Sequence, residues 1–136
     1  MQLNSLLHFN GQCEEAFKFY EKCLGGKIEG IFPYAGTPDS EKMSPEWRTK
    51  IAHARMTVGD QALMGMDAPP PRYRKPQGFH VNIGLKTVAE GKKIFETLAE
   101  NGSVVMVFGP TFWAPGFGMV VDRFGIPWMI NCEKAD

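Results

Sequence analysis

Apolar residues along this chain follow two rhythms, one repeating every second residue and one every third or fourth. The breaks between them delimit a series of short elements. Leu3–Phe9 is apolar and strand-length, and Asn10-Gly11 ends it. Cys13, Ala16, Phe17, Tyr20 and Leu24 then recur at helical spacing, with Glu14, Glu15, Lys18, Glu21 and Lys22 on the other faces. Acidic residues near the start and Lys22 near the end suit the helix dipole, and Gly25-Gly26 supplies the stop. Lys27–Tyr34 reads as a strand, and Ala35–Glu46, with Gly36, Pro38 and Pro45, as a loop. Thr49–Val58 and Gln61–Asp67 read as two strands joined at Gly59-Asp60, a good hairpin signal.

Ala68–Gln77 holds Pro69-Pro70-Pro71 and Pro76, which no regular element survives, so it reads as a linker. Beyond it the pattern restarts. Phe79, Val81, Ile83 and Leu85 alternate with His80, Asn82 and Gly84, predicting a half-buried strand with a polar second face. Thr87 and Glu90 fit a capping box; Val88, Gly91, Ile94, Phe95 and Leu98 mark a helix that Asn101-Gly102 ends. Ser103–Phe108 is a strand and Pro110–Gly116 a loop. Phe117–Asp122 and Pro127–Cys132 are the last strands, with a turn at Arg123–Gly125. Strand, helix, strand, strand, strand thus occurs twice. The fold class is α+β: two tandem βαβββ modules, about 1–67 and 78–136, joined by the linker 68–77 into one domain. Each module is an open curved sheet with its helix on the convex side, and the concave face is where a small-molecule ligand is expected.

Composition narrows the function classes. The chain has 136 residues, 43% apolar, enough to bury a core without staples. Lys+Arg and Asp+Glu both number 15, which removes the electrostatic argument for nucleic acid or an anionic membrane surface. No run approaches ~18 apolar residues, and the N-terminus lacks the basic and apolar regions of a signal peptide. Cys13, Cys23 and Cys132 form no Cys-x-x-Cys pair and read as free thiols in a cytoplasmic protein.

Phe19-Tyr20-Glu21-Lys22-Cys23-Leu24-Gly25 and Asp122-Arg123-Phe124-Gly125, the latter followed by strand Pro127–Asn131, resemble motifs of the vicinal-oxygen-chelate (glyoxalase/bleomycin-resistance) superfamily. Phe9-Asn10-Gly11-Gln12-Cys13-Glu14-Glu15-Ala16, Leu63-Met64-Gly65-Met66-Asp67, Thr111-Phe112-Trp113 and Asp122–Trp128 resemble its PhnB-like branch. The resemblance covers nearly the whole chain. It implies paired βαβββ modules, usually in a homodimer, with a cavity in each sheet cup. In metal-using relatives four side chains, two per module, hold a divalent ion that acts as a Lewis acid. Some PhnB-like sequences carry a demethylubiquinone methyltransferase label. No glycine-rich nucleotide loop supports it here.

Carried over position by position, the resemblance places the four ligands at Ser5, Met64, His80 and Met129. His8, three residues beyond Ser5, has the opposite strand parity and is expected on the other face. One imidazole and two thioethers are poor ligands for a hard or borderline divalent ion, so the metal site is read as lost and no cofactor is expected. Thioethers would suit Cu(I), though one histidine beside them is thin support. A retained divalent metal site would need His8, His80 and a carboxylate such as Glu133 or Asp67 in a shifted register. Met64, Met66, Met129, Trp113 and Trp128 would form an adaptable apolar wall. His80 could act as a base or hydrogen-bonding anchor, because an imidazole exchanges protons near neutral pH, and Asn82 could orient a carbonyl or amide.

Plainer roles compete with these. Strand methionines and Trp128 commonly fill a core, and His80 is more often a satisfied polar residue. Arg55, Arg72 and Arg74 are usually solvated. His53 could lie on either face, and Cys132 is a nucleophile candidate only by its nearness to the last strand. Three functions follow. The first is a metal-independent small-molecule-binding protein, such as a sequestering or resistance-type module. The second is a metal-dependent lyase, isomerase or dioxygenase. The third is a metal-free enzyme with His80 as base.

Overall fold

The structure is a computed structural model that describes residues 1–135; Asp136, at the end of the second predicted module, lies outside the described residues. The chain forms two compact units, Met1–Lys75 and the segment from Pro76 onward, which divide within the predicted linker.

In the first unit β1 (Ser5–Phe9), α1 (Cys13–Leu24), β2 (Lys27–Pro33), β3 (Ile51–Val58) and β4 (Gln61–Asp67) build a four-stranded sheet in the order β1-β4-β3-β2. β1 runs parallel to β4, and the other pairs are antiparallel. α1 covers one face. Leu7 and Phe9 of β1, Ala54 and Met56 of β3, and Leu63 of β4 are buried with Ala16, Phe17 and Tyr20 of α1. Phe9 and Phe17 meet edge to face at 6.1 Å. Each large side chain so buried contributes about 1.5–3 kcal/mol of hydrophobic stabilisation. Gly65 lies directly under the helix, since a Cβ there would run into the Phe17 ring.

A buried carboxylate ties this unit together. Asp67, 1% exposed, accepts hydrogen bonds from Gly11 N (3.0 Å) and Cys13 N (2.9 Å) through Oδ1, and from Ile51 N (2.8 Å) through Oδ2. Gln12, at the N-cap, makes no side-chain cap bond, so Asp67 of β4 satisfies the helix start from across the fold. Gly25 closes α1 in the left-handed conformation (φ 69°).

The segment expected to be a loop contains two short 3-10 turns, Tyr34–Gly36 and Ser40–Lys42, and a one-turn helix, α2 (Pro45–Arg48). Ser44 caps α2 by accepting from Trp47 N, and Pro45 occupies its first turn.

The second unit repeats the plan with β5 (Val81–Thr87), α3 (Val88–Ala99), β6 (Ser103–Gly109), β7 (Gly116–Val121) and β8 (Pro127–Lys134), in the order β5-β8-β7-β6. β5 again pairs parallel with β8. Thr87 Oγ1 accepts from Glu90 N (3.3 Å) and donates to the Glu90 carboxylate (2.9 Å), forming the predicted cap of α3. The helix-side core holds Phe95, Leu98, Val120, Ile130 and Cys132. Trp128 is 1% exposed and donates its indole N–H to Asp122 Oδ2 at 2.8 Å, so it is a core residue rather than part of an open apolar wall. Asp122 Oδ1 meanwhile accepts from Phe124 N and Ile126 N, fixing the β7–β8 turn. Among the described residues no helix is long and apolar enough to cross a membrane.

Candidate functional site

In each unit the helix covers one sheet face, and strand alternation fixes which side chains line the other. In the second unit Val81, Ile83 and Leu85 pair with Trp128, Ile130 and Cys132 on the helix side. The intervening residues therefore lie on the open face. One cross-strand row runs Asn82–Met129–Met119–Met106, and the next runs Gly84–Asn131–Phe117–Gly109. The loop before β7 folds over the second row. Thr111 N donates to Ala114 O (2.8 Å) and Ala114 N to Thr111 Oγ1 (3.1 Å), and Trp113 packs edge-on against Phe117 at 5.0 Å. Phe117 is only 7% exposed beneath it, whereas Trp113 remains half open at 52%.

One atom in this arrangement is anomalous. Asn131 Oδ1 is buried, and it accepts no hydrogen bond from any described residue. A buried amide oxygen left unpaired costs about 1–3 kcal/mol, and native folds rarely retain one without a reason. The neighbouring Gly84 leaves open the space a side chain would fill: a Cβ there would meet only Asn82 Nδ2, at 4.0 Å. Asn131 lies in register between Gly84 and Phe117, in the row next to Asn82, Met129 and Met119.

Of the sequence-predicted site residues, Asn82, Met129 and Trp113 gather here. His80 stands two residues ahead of Asn82, at the mouth of β5, with the parity of the same face. In the first unit Met64 lies on the open face with Leu6 beside it, and His8 pairs with Met66 on that same face. Ser5 does not join them. It has the parity of Leu7 and Phe9, which are buried under α1, so the expected orientations of Ser5 and His8 are reversed. His53 lies on the open face too, opposite Phe32.

Within each unit the residues of the alternative metal set stand apart or are already engaged. His80 is level with the start of β8 and Glu133 lies near its end, beside Lys86. About six residues at ~3.3 Å each separate them by roughly 20 Å. Asp67 is buried, with both oxygens engaged by backbone N–H groups. Among the described residues no three His, Cys, Asp or Glu side chains cluster as metal ligands. Cys132 faces α3, not the open face. Burial, reinforced by Glu90 and opposed by a backbone hydrogen bond from Gly91, pushes its thiol pKa up, against the needs of a nucleophile.

Sequence reasoning missed Asn131, Phe117 and Met119. The alternation in Met129-Ile130-Asn131-Cys132 placed Asn131 on the face of Met129, but nothing local shows that its amide oxygen is buried without a donor.

A family model described as Glyoxalase/Bleomycin resistance protein/Dioxygenase superfamily matches residues 2–130. The chain is 37% identical over 142 residues to Protein YjdN of Escherichia coli (strain K12), covering 98% of this chain and 97% of that protein. The crystal structure of PA1353 from Pseudomonas aeruginosa superposes with a TM-score of 0.87 at 43% identity, covering 98% of each chain. A putative 3-demethylubiquinone-9 3-methyltransferase, PhnB protein, from Bacillus cereus superposes at 0.82 with 23% identity, covering 97% of this chain and 99% of that one, a likeness of fold.

Proposed function

The chain belongs to the Glyoxalase/Bleomycin resistance protein/Dioxygenase superfamily, and on that premise we propose that it is a small-molecule-binding protein whose ligand lies on the open sheet face of the second unit without a bridging metal. The observation that carries this reading is the unpartnered, buried Asn131 Oδ1. It calls for a ligand with an N–H or O–H donor. Phe117, Trp113 and the Met129–Met119 row call for an apolar, preferably aromatic, body beside that donor.

The donor chemistry supports the metal-independent part. On the open faces Leu6 stands beside Met64 and Asn82 beside Met129, so each pair offers a thioether with an aliphatic or amide neighbour. These pairs do not fit Zn, Ni, Mn or Fe(II), which favour imidazole and carboxylate, and although His8, His53 and His80 share the open faces, no three His, Cys, Asp or Glu side chains cluster among the described residues. No step is therefore assigned to a metal.

Calorimetric titration with 2-naphthol, which can donate to Asn131, and 2-methoxynaphthalene, which cannot, tests the site. The naphthol is expected to bind about tenfold more tightly, and Asn131→Leu to erase the difference. Trp113→Ala should weaken both ligands and leave folding intact. Equal binding of the two ligands sinks the donor-selective reading. Stoichiometric uptake of a divalent ion that disappears in His80→Ala overturns the metal-independent one.

A homodimer belongs to the same proposal. β6 is a sheet edge with Val105 and Val107 exposed at 59% and 80%, the kind of edge that pairs or is covered. A monomer by light scattering at micromolar concentrations would rule the dimer out.

A further inference from the structure

The first unit contains a cavity that the proposed site does not use. It is about 700 Å³, within the range of small-molecule pockets, and lies between the Tyr34–Trp47 segment and the first residues of the proline-rich linker. Tyr34, Trp47, Pro69 and Pro71 supply flat, apolar walls, and Lys42 and Arg72 bring two cations against the single carboxylate of Asp39.

Both walls are braced from within the unit. The Tyr34 hydroxyl donates to Asp67 O (2.7 Å), its backbone N–H donates to Lys50 O (2.9 Å), and Thr37 Oγ1 donates to Tyr34 O (2.8 Å). Arg48 Nε donates to Ser40 O at 2.9 Å, which holds the segment carrying Lys42. On the opposite side Arg72 N and Tyr73 N both donate to Pro69 O, a turn whose proline rings restrict the backbone further. A cavity held open this way requires little ordering when a ligand enters.

Neither Arg72 nor Lys42 has an ion-pair partner among the described residues. Arg72 and Tyr34 line the same cavity, and the Arg72 charge pulls the Tyr34 phenol pKa down against burial and Asp67, which raise it. An anion between Arg72 and Lys42 would meet unspent donors beside an aromatic surface.

We propose that this cavity is a second binding site, selective for a small aromatic carboxylate whose ring lies against Tyr34 and Trp47 and whose carboxylate is held by Arg72. It is independent of the site around Asn131.

The test titrates the full chain calorimetrically with 2-naphthoate and with neutral 2-naphthylmethanol, the alcohol's affinity being read in an Asn131→Leu background so that its O–H is not selected by the site of the second unit. Naphthoate is expected to bind saturably and at least about tenfold more tightly than the alcohol, the size of one charge-assisted hydrogen bond. Arg72→Gln, a change at an exposed side chain, should remove that advantage and leave the alcohol's affinity unchanged. Trp47→Leu should weaken both ligands. Asn131→Leu should leave naphthoate binding as it was. The proposal is overturned by an absence of saturable naphthoate binding, by equal affinity for acid and alcohol, or by an unchanged affinity in Arg72→Gln. Loss of naphthoate binding in Asn131→Leu overturns it as well, because that assigns the acid to the second unit.

Discussion

Asn131 offers a prediction whose sign runs against ordinary experience, in which substitutions inside a fold destabilise it. In the unfolded chain water satisfies its amide oxygen. In the folded protein that oxygen is buried without a donor, a loss of about 1–3 kcal/mol. Asn131→Leu keeps the number and branching of the side-chain heavy atoms, removes the polar atom and sets an aliphatic group beside Phe117. The variant should therefore be more stable by about 1–2 kcal/mol in the absence of ligand. At roughly 3–5 °C per kcal/mol for a chain this long, the Tm should rise by roughly 3–10 °C. Urea denaturation followed by circular dichroism should show a higher midpoint at unchanged slope. Asn131→Asp, which buries a charge at the same place, should lower the midpoint. A leucine variant of equal or lower stability refutes the reasoning, because it means the amide makes a stabilising bond inside the fold. A gain in stability together with lost ligand discrimination is the signature of a group kept for binding.

Three other outcomes follow from the architecture. Asp67→Asn turns one of the two side-chain oxygens that accept three backbone N–H groups into a donor and should destabilise the first unit by about 2–4 kcal/mol in a urea titration; a change below about 0.5 kcal/mol would contradict its bracing role. Gly91→Ala gains about 1 kcal/mol of helix propensity, yet its Cβ runs into Cys132 Sγ; a net loss of about 1–3 kcal/mol is expected, and a double-mutant cycle with Cys132→Ala should recover much of it. Burial, then Asp67 and Glu14, raise the pKa of the Cys13 thiol, so the folded chain keeps a proton that the unfolded chain loses above about pH 8.5. Stability should be level in this respect below that pH and fall above it by up to about 1.4 kcal/mol per pH unit; Cys13→Ala should remove that alkaline component.

The repeat was legible because its punctuation is local. Gly25, the Thr87–Glu90 cap and the Gly59-Asp60 hairpin act within a few residues of where they stand, and the structure places them as read. Ser44-Pro45 was the same kind of signal, a cap followed by a first-turn proline, but it was absorbed into a loop dense with breakers. The facing of β1 was harder. Leu6 and Leu7 are adjacent and both apolar, so alternation could not say which turns inward, and the long-range packing of Phe9 and Leu7 against α1 decides it. The roles of Asp67 and Asn131 were beyond any local rule. The first depends on N–H groups distant in sequence, and the second on cross-strand neighbours, Gly84 and Phe117, that only the folded sheet brings beside it.

The parallel pairing of first strand with last has a consequence for synthesis. Ser5 emerges from the ribosome long before Leu63, its partner in register, and Val81 likewise precedes Trp128. At ~5–20 residues per second each unit spends several seconds with its opening strand unpaired and the face that α1 or α3 will cover incomplete. Asp67 arrives at the end of the first of these intervals and brings the three-way brace with it. A nascent chain arrested before Gln61 would therefore display an uncapped α1 and an open β1 edge, the form most exposed to chaperones and to pairing with other chains.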